Sequence, residues 1–421
     1  MQEPTSHTEE FAPVLPTERI AVLDVLRGFA LLGIALMNIE FFTRPLQGMM
    51  LGLDPALSGV DYVVGWSIAA FVQGKFWTLF SLLFGMGFAV MLERADGLRA
   101  DPDFARIYAR RLLVLLLIGF AHATLIWAGD ILVPYAIGGF LLLLLFRNTP
   151  VSQLWKWGLA LYFVPVLLLW LIVGALAAAN LDPSAATDVA NELAESSRDM
   201  REWYAAAEIA YRDGGYIDVV RQRFQDALMQ YGWMPMIVPS VFGMFLLGAW
   251  FIRAGVMRAP QAHAALFHRL LWLGGVFGTV LVVIAMQNME GTDMAVPTVA
   301  LAVGTTWMSL GSLLLCLAYT SALVLLTVGP LPVLRDWLGP IGRMALTNYL
   351  LQSMAFSTLF YGYGFGLWGQ VPRAQQVLLV LAFFVVQMLL SRWWMARFRY
   401  GPVEWVWRAL TYGKAPTMRG G

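Results

Sequence analysis

The stretch LDVLRGFALLGIALMN, from Leu23 to Asn38, places three polar side chains inside an otherwise apolar helix. At about 100° per residue, Arg27 and Asn38 lie only about 20° apart around that helix, and Asp24 lies about 60° from Arg27. Ionisable groups at membrane depth are costly and usually face a protein interior or an aqueous cavity. The stretch therefore predicts a membrane helix with a polar stripe, which a simple anchor would not need.

The composition of the 421 residues is that of a polytopic membrane protein. Hydrophobic residues make up 59% of the chain and charged residues 13%, about half of the roughly 25% that globular proteins contain. The formal net charge of +1 gives no reason to expect a nucleic-acid partner, and membrane lipids are the expected surroundings. Cys316 is the only cysteine, so thiolate metal clusters are excluded and no metal site is predicted.

Ten apolar stretches approach the roughly 20 residues that span a bilayer. They lie at about residues 20–42, 74–93, 110–129, 131–147, 154–179, 233–253, 266–287, 300–328, 340–362 and 375–396. The stretch 300–328 is long enough to be tilted or broken, with Gly304 and Gly311 as break points. Residues 59–71 suit an interfacial helix better than a span. The sequence thus predicts an all-α, polytopic bundle of about ten transmembrane helices.

Basic residues are concentrated in alternate loops and in the C-terminal tail, which predicts that these segments and both termini are cytoplasmic. The chain then divides into five parts: a cytoplasmic tail (1–19), membrane helices 1–5 (20–179), a periplasmic loop (180–232), membrane helices 6–10 (233–396) and a cytoplasmic juxtamembrane tail (397–421).

The loop 180–232 carries ten acidic residues against five arginines. Asp182-Pro183 is typical of a helix start, and Gly214-Gly215 should separate two amphipathic helices. These helices either cap the bundle or form a lid over a cavity.

The third and fourth spans contain two candidate catalytic residues, His122 and Asp130. His122 lies about 12 residues past Arg110, hence roughly 18 Å into the membrane. A neutral imidazole there could take a proton from a hydroxyl or amine near pH 7; the alternative is a histidine that only packs helices. Asp130 opens the fourth helix and could be its N-cap, with Tyr135 one turn further in the same vestibule. A continuous helix would hold His122 and Asp130 about 12 Å apart and 80° out of phase, so they are not expected to pair.

The ninth span contains GRMALTNYLLQS at residues 342–353. Asn348 and Gln352 share one face, where they either form interhelical hydrogen bonds or join a polar cavity. That polar cavity would contain Asp24, Asn38, Tyr135, Asn348 and Gln352. Arg343 and Arg27 would form a basic pocket at the cytoplasmic end, where coenzyme A is available, although Arg27 could instead pair only with Asp24.

Five ordered stretches between about residues 20 and 415 resemble the YeiB-like bacterial membrane proteins, known as domain of unknown function 418. They are LDVLRGFALLGIALMN, KFWTLFSLLFGMGF, IGFAHATLIWAGDILVPYAIGG, GRMALTNYLLQS and FRYGPVEWVWRALTYG. The first is also similar to the opening motif of the transmembrane acyltransferase superfamily. That resemblance implies a ten-helix fold that carries an acyl group from cytoplasmic acyl-CoA to an acceptor on the far side. Those enzymes are expected to have a histidine soon after the first span, but residues 42–74 contain none. His122 is therefore assigned from its depth and from the scarcity of histidine.

The leading hypothesis is an inner-membrane O- or N-acyltransferase. Arg27 and Arg343 would hold the phosphates of acyl-CoA, the co-substrate, with no covalently bound cofactor. His122 would act as the base, and Asp130 would orient it or bind the acceptor, which would be an envelope glycan, a lipid or a small molecule. The alternative is a transporter or flippase for a lipid-linked or small anionic solute, and a third is a catalytically silent scaffold. The apolar outer helix faces are compatible with a homodimer.

Overall fold

The computed structural model describes residues 20–46, 48, 53–54, 56–97, 101–293 and 296–419. Only the backbone is described for residues 96–97 and 101–103. The regular structure in this part of the chain is helical, and an isolated bridge joins Phe398 to Arg419. The predicted N-terminal tail, residues 1–19, lies outside the described residues.

The first half of the chain forms the helices α1 (Ala21–Asn38), α2 (Gly59–Phe71), α3 (Lys75–Gly97), α4 (Asp101–Ala121), α5 (Leu132–Leu145), α6 (Val151–Tyr162) and α7 (Val164–Ala179). A 3₁₀ turn, Ile39–Phe42, follows α1, and a π-helical turn, His122–Ile126, follows α4. The second half forms α8 (Pro183–Asp213), α9 (Tyr216–Gly232), α10 (Met234–Arg253), α11 (Ala264–Met289), α12 (Val299–Val328), α13 (Leu334–Arg343), α14 (Ala345–Phe360), α15 (Arg373–Met395) and α16 (Pro402–Tyr412).

Within the described residues, eight helical segments are long and apolar enough to cross a membrane. They are Ala21–Phe42, Gly59–Ala95, Phe104–Ile126, Val151–Ala179, Met234–Arg253, Ala264–Met289, Val299–Val328 and Arg373–Met395. The prediction of an all-α, multi-pass membrane bundle is therefore confirmed.

Three of the ten predicted spans have a different form. The fifth, predicted at 154–179, consists of α6 and α7, which meet at Phe163. The fourth, predicted at 131–147, is the apolar but shorter helix α5, with 14 residues. The ninth, predicted at 340–362, is divided at Met344 into α13 and α14. Ten crossings and the orientation of the termini stay predictions.

Glycines allow several helices to touch backbone to backbone. A Cβ atom on Gly85 of α3 would lie 1.9 Å from the carbonyl oxygen of Phe245 in α10. A Cβ atom on Gly311 of α12 would lie 3.0 Å from the carbonyl oxygen of Gly278 in α11. Gly304 and Gly311 lie inside an unbroken α12, so the predicted break is wrong: these small residues serve helix packing, as is common in membranes.

The loop 180–232 folds into two helices, as its sequence predicts. The Asp182 side chain accepts a hydrogen bond from the Ser184 backbone N–H at 2.9 Å and thereby caps α8. Asp226 of α9 accepts hydrogen bonds from Tyr211 and Trp203 of α8 at 2.5 Å and 2.8 Å. This buried carboxylate joins the two helices into one unit.

Amide side chains join α14 to α15. Gln387 Nε2 donates to the backbone oxygen and the Oδ1 atom of Asn348 at 2.9 Å and 3.2 Å. Gln352 Nε2 donates to Gln387 Oε1 at 2.9 Å, and Asn348 Nδ2 donates to Ser391 Oγ at 3.0 Å. All four side chains are buried. The amides of the ninth span thus form the interhelical hydrogen bonds that the sequence allowed as one alternative.

Candidate functional site

A cavity of about 270 Å³ opens at the arginine-rich end of the bundle; we call it the arginine cavity. Six arginines line it, together with the carboxylates Asp24 and Glu404. The arginines are Arg27, Arg94, Arg111, Arg343, Arg399 and Arg408. Deeper in, its walls are mostly apolar, with Leu83, Phe84 and Leu132 among them. A concave site lined by one sign of charge concentrates ligands of the opposite sign, so the cavity suits an anionic group attached to an apolar or flexible chain.

Two glycines bring Arg27 and Arg343 to this cavity. A Cβ atom on Gly342 would lie 1.8 Å from the carbonyl oxygen of Asp24, and one on Gly28 would lie 2.3 Å from that of Leu338. Helices α1 and α13 therefore touch at the residues next to both arginines. The structure places Arg27 and Arg343, the two arginines predicted to hold the donor, in the walls of one cavity.

Arg27 also pairs with Asp24, its neighbour one turn away. Arg27 Nη1 donates to Asp24 Oδ1 at 2.7 Å. A guanidinium has five N–H donors, so this bond leaves donors for a ligand. A Cβ atom on Gly87 would lie 3.6 Å from Arg27 Nη2, an ordinary contact distance, so the Arg27 side chain lies beside α3. The ion pair and a ligand-binding role are therefore compatible.

Aromatic side chains hold two further arginines in the cavity wall. The Arg111 guanidinium lies 3.8 Å from the centre of the Trp407 ring, and that of Arg408 lies 4.8 Å from the centre of the Tyr400 ring. Trp407 Nε1 donates to the backbone oxygen of Arg111 at 2.9 Å. In the sequence, such basic residues indicate only the orientation of the chain in the membrane. They come from distant segments, and no local pattern indicates that they meet.

Glu404 lines the cavity, but its carboxylate oxygens accept hydrogen bonds that stabilise the fold. Its Oε1 atom accepts hydrogen bonds from the backbone N–H groups of Leu346 and Thr347 at 2.7 Å and 3.0 Å. Its Oε2 atom accepts one from the Thr347 hydroxyl at 2.5 Å. Because α14 begins inside the bundle, its first N–H groups need such partners. Burial raises the pKa of Glu404.

Two tyrosines line the inner part of the arginine cavity. The Tyr135 hydroxyl donates to the Trp77 backbone oxygen at 2.9 Å and accepts from Ser81 at 2.8 Å. The ring centre of Tyr349 lies 5.0 Å from that of His122. Tyr349 therefore touches both the cavity and the buried histidine.

His122 and Asp130 form a direct pair, contrary to the sequence-based expectation. His122 Nδ1 lies 2.8 Å from Asp130 Oδ1, and both side chains are fully buried. The expectation assumed a continuous helix. Instead the π-helical turn widens the end of α4, and Trp127 takes an extended conformation that turns the chain back. Asp130 Oδ2 also accepts from the Val133 backbone N–H at 2.8 Å, so the carboxylate orients the histidine and caps α5.

The pairing defines what the imidazole of His122 can do. With the proton on Nδ1 and donated to Asp130, Nε2 is the free acceptor. Nε2 is buried and has no hydrogen-bond partner among the described residues. Buried polar atoms are almost always paired in native proteins. An imidazole that is oriented by a carboxylate and has a free nitrogen is the arrangement of a general base.

Helix α9 covers the turn that carries His122. The Tyr216 hydroxyl and Arg223 Nη1 both donate to the Leu125 backbone oxygen, at 3.1 Å and 2.7 Å. Gln230 Nε2 contacts the Asp130 backbone oxygen at 3.5 Å. None of the described residues that line the arginine cavity belongs to α9. Helix α9 thus contacts the backbone of the segment that carries His122 and Asp130. On the other side, Tyr349 lies between His122 and the arginine cavity.

Three residues predicted for a polar cavity do not line the arginine cavity. Asn38 is buried at the end of α1, and Asn348 and Gln352 face α15 through the hydrogen bonds described above. Tyr349, between them in sequence, presents its ring to the cavity instead. Only part of the polar stripe of α1 therefore faces the arginine cavity. Asp24 and Arg27 line it, and Asn38 does not.

Comparison with known proteins gives relatives along the whole chain. The chain is 35% identical to "Uncharacterized protein YxaH" of Bacillus subtilis (strain 168) over 420 residues, which cover 95% of this chain and 96% of that protein. It is 32% identical to "Uncharacterized protein YeiB" of Escherichia coli (strain K12), covering 94% and 96%. A family profile described as "Protein of unknown function (DUF418)" matches residues 251–414. No solved structure matches.

Proposed function

The chain belongs to the DUF418 family that includes YxaH and YeiB, and we propose that it is an inner-membrane acyltransferase. It takes an acyl group from cytoplasmic acyl-CoA and passes it to an acceptor at the opposite face, with both of its termini in the cytoplasm. One observation carries the proposal. A carboxylate-oriented histidine with a free, buried Nε2 lies behind Tyr349 at the inner part of a cavity lined by six arginines.

The arginine cavity supplies the donor site. Arg27 and Arg343 hold phosphate oxygens of the coenzyme by charge-assisted hydrogen bonds, for which the guanidinium is well suited. The apolar walls beyond them take the flexible arm and the acyl group. With about 270 Å³, the cavity encloses the arm and the acyl group while the nucleotide stays at the mouth, among the remaining arginines.

The His122–Asp130 pair supplies the proton transfer. A hydroxyl or amine of the acceptor gives its proton to His122 Nε2 as its oxygen or nitrogen attacks the thioester carbonyl carbon. The carbon–sulfur bond breaks, and the leaving thiolate takes the proton from the imidazolium, so that an ester or amide and the free coenzyme thiol are formed. Asp130 stabilises the imidazolium in between. Tyr349 lies between the cavity and His122, so its side chain must move for the thioester to reach Nε2.

Donor binding tests the proposal. Wild-type protein in lipid nanodiscs should bind acetyl-CoA with a micromolar Kd in calorimetry, and Arg27→Met should weaken that binding about tenfold or more, as expected for the loss of a hydrogen bond to a charged group. Arg269→Met is the matched control, because Arg269 is an exposed arginine outside the cavity and its loss should leave the Kd unchanged. Absence of acetyl-CoA binding by the wild type, or equal binding by Arg27→Met, would overturn the donor assignment.

A transporter or flippase for a lipid-linked or small anionic solute is the second candidate. The observation that favours it is the same cavity. Arginines at one end of the bundle and the helices α8 and α9 over the other end also suit an anion that crosses the membrane. The two activities differ in their products. A transporter moves solute across a vesicle membrane without consuming acyl-CoA, whereas the acyltransferase releases coenzyme thiol and moves no intact solute.

A further inference from the structure

We propose that a second cavity at the arginine-rich end of the bundle binds the headgroup of an anionic phospholipid from the surrounding membrane. This second cavity has a volume of about 390 Å³ and lies beside the arginine cavity. Asp24 and Arg343 line both cavities. The ligand is a lipid that takes no part in acyl transfer, so the site is independent of the proposed function.

Three segments that are distant in sequence form the second cavity. The beginning of α1 contributes Asp24, and the last turn of α15 contributes Arg392. Helix α13 contributes Arg335, Asp336 and Arg343. The cavity opens to the surroundings of the protein, because Arg335, Asp336 and Arg392 are exposed. Basic pockets between membrane helices at the cytoplasmic side are known to bind phospholipid headgroups, and this end of the bundle is the predicted cytoplasmic side.

The charges of the second cavity favour an anion. Its three arginines are accompanied by two carboxylates, and one of these, Asp24, already accepts a hydrogen bond from Arg27. Within the part of the chain that the structure describes, neither Arg335 nor Arg392 forms an ion pair with an acidic side chain. Both guanidinium groups can therefore donate to phosphate oxygens by charge-assisted hydrogen bonds.

Contacts within the fold hold these two arginines at the cavity. Arg335 Nη2 donates to the backbone oxygen of Thr327 at the end of α12, at 3.1 Å. The Arg392 guanidinium lies 4.5 Å from the centre of the Trp337 ring. A guanidinium has five N–H donors, so one hydrogen bond and one ring contact leave most of the donors for a ligand. The two side chains are thus positioned before the ligand binds.

An exposed stripe on α15 leads to the second cavity and favours a lipid over a free phosphate. Four exposed residues form the stripe: Leu381, Val385, Leu389 and Arg392. At about 100° per residue they lie within about 80° of one another, over about 16 Å of the helix. Because α15 is apolar enough to cross a membrane, the three apolar residues face lipid chains. A phospholipid can lay an acyl chain along them while its phosphate lies in the cavity.

Asp336 narrows the choice of headgroup. Its carboxylate lines the same cavity and only accepts hydrogen bonds. The glycerol headgroup of phosphatidylglycerol supplies hydroxyl donors beside an anionic phosphate. The ammonium of phosphatidylethanolamine could also pair with Asp336, but it cancels the charge that the arginines attract. The excess of arginines therefore favours phosphatidylglycerol.

Competitive lipid retention tests the site. Full-length protein is taken from nanodiscs with equal amounts of phosphatidylglycerol and phosphatidylethanolamine into mild detergent, and native mass spectrometry measures the lipid that stays bound. The wild type should retain phosphatidylglycerol in preference by about tenfold or more, as expected for hydrogen bonds between charged groups. Arg335→Met with Arg392→Met should abolish this preference. Arg269→Met is the matched control and should behave like the wild type, because Arg269 is an exposed arginine outside the cavity.

Equal retention of the two lipids by the wild type would overturn the proposal without reference to any variant. An unchanged preference in the double variant would overturn it as well. Excess inorganic phosphate, compared with chloride at the same ionic strength, and excess acetyl-CoA should both leave the lipid in place. Displacement by either would show that the cavity takes a soluble phosphate. If the wild type binds no acetyl-CoA but keeps its lipid preference, only the donor site is refuted.

Discussion

His122 Nδ1 lies 2.8 Å from Asp130 Oδ1, although the two residues are eight positions apart in the sequence and the end of a helix lies between them. The contact exists because the π-helical turn after α4 and the extended Trp127 turn the chain back on itself. Asp130 thereby has two tasks, since one oxygen orients His122 and the other caps α5.

The two tasks of Asp130 can be separated by substitution. Asp130→Asn can keep the cap on α5 but removes the negative charge that stabilises the imidazolium, so acyl transfer should fall by about 10²–10⁴-fold. Asp130→Ala should lose the activity and also about 1 kcal/mol of stability through the missing cap. Thiol-release rates and thermal unfolding of both variants in nanodiscs check this. A fully active Asp130→Asn enzyme would contradict the role of the charge.

The contact between α1 and α13 should control donor binding. A Cβ atom on Gly342 would lie 1.8 Å from the Asp24 carbonyl oxygen, so Gly342→Ala must force the helices apart and should cost about 1–3 kcal/mol. Because the helices carry Arg27 and Arg343, acetyl-CoA binding should weaken as well. Gly339→Ala in the same helix is the control, since its Cβ would have no neighbour within 4 Å. Equal acetyl-CoA affinity and melting temperature in both variants would show that the contact does not matter.

The amide network between α14 and α15 should be structural. Gln387→Leu removes hydrogen bonds to Asn348 and Gln352, and in a membrane such bonds contribute about 0.6–2 kcal/mol. The variant should therefore unfold at a lower temperature while its acetyl-CoA affinity stays unchanged, because none of these amides lines the arginine cavity. Calorimetry on the same nanodisc sample measures both quantities. If Gln387→Leu loses acetyl-CoA affinity while its melting temperature stays unchanged, the amides belong to the binding site and the structural role is wrong.

Much of the fold follows from local sequence patterns. Apolar stretches of sufficient length indicate the membrane helices, and Asp182 with the Gly214-Gly215 pair marks the limits of α8 and α9. Asp24 and Arg27 of the α1 polar stripe line the arginine cavity. These features depend on residues that are close in sequence.

Other features depend on contacts between distant segments or on departures from ideal helices. The approach of His122 to Asp130 requires a π-helical turn that no residue pattern announced, and the division of the ninth span at Met344 is of the same kind. The meeting of Arg111 with Trp407 joins positions 296 residues apart. Tyr349 was overlooked because the amides beside it were more conspicuous, although the helical period places its side chain about 100° from that of Asn348 and about 60° from that of Gln352.

The most direct test of the account is the turnover of acetyl-CoA by His122→Ala in inner-membrane vesicles, which supply the acceptor, with the release of coenzyme thiol as the signal. His268→Ala is the matched control, since His268 is exposed on α11. The account predicts that the wild type and His268→Ala release thiol at the same rate and that His122→Ala is slower by at least 10²-fold, with unchanged acetyl-CoA binding. Equal thiol release by His122→Ala and the wild type would contradict it.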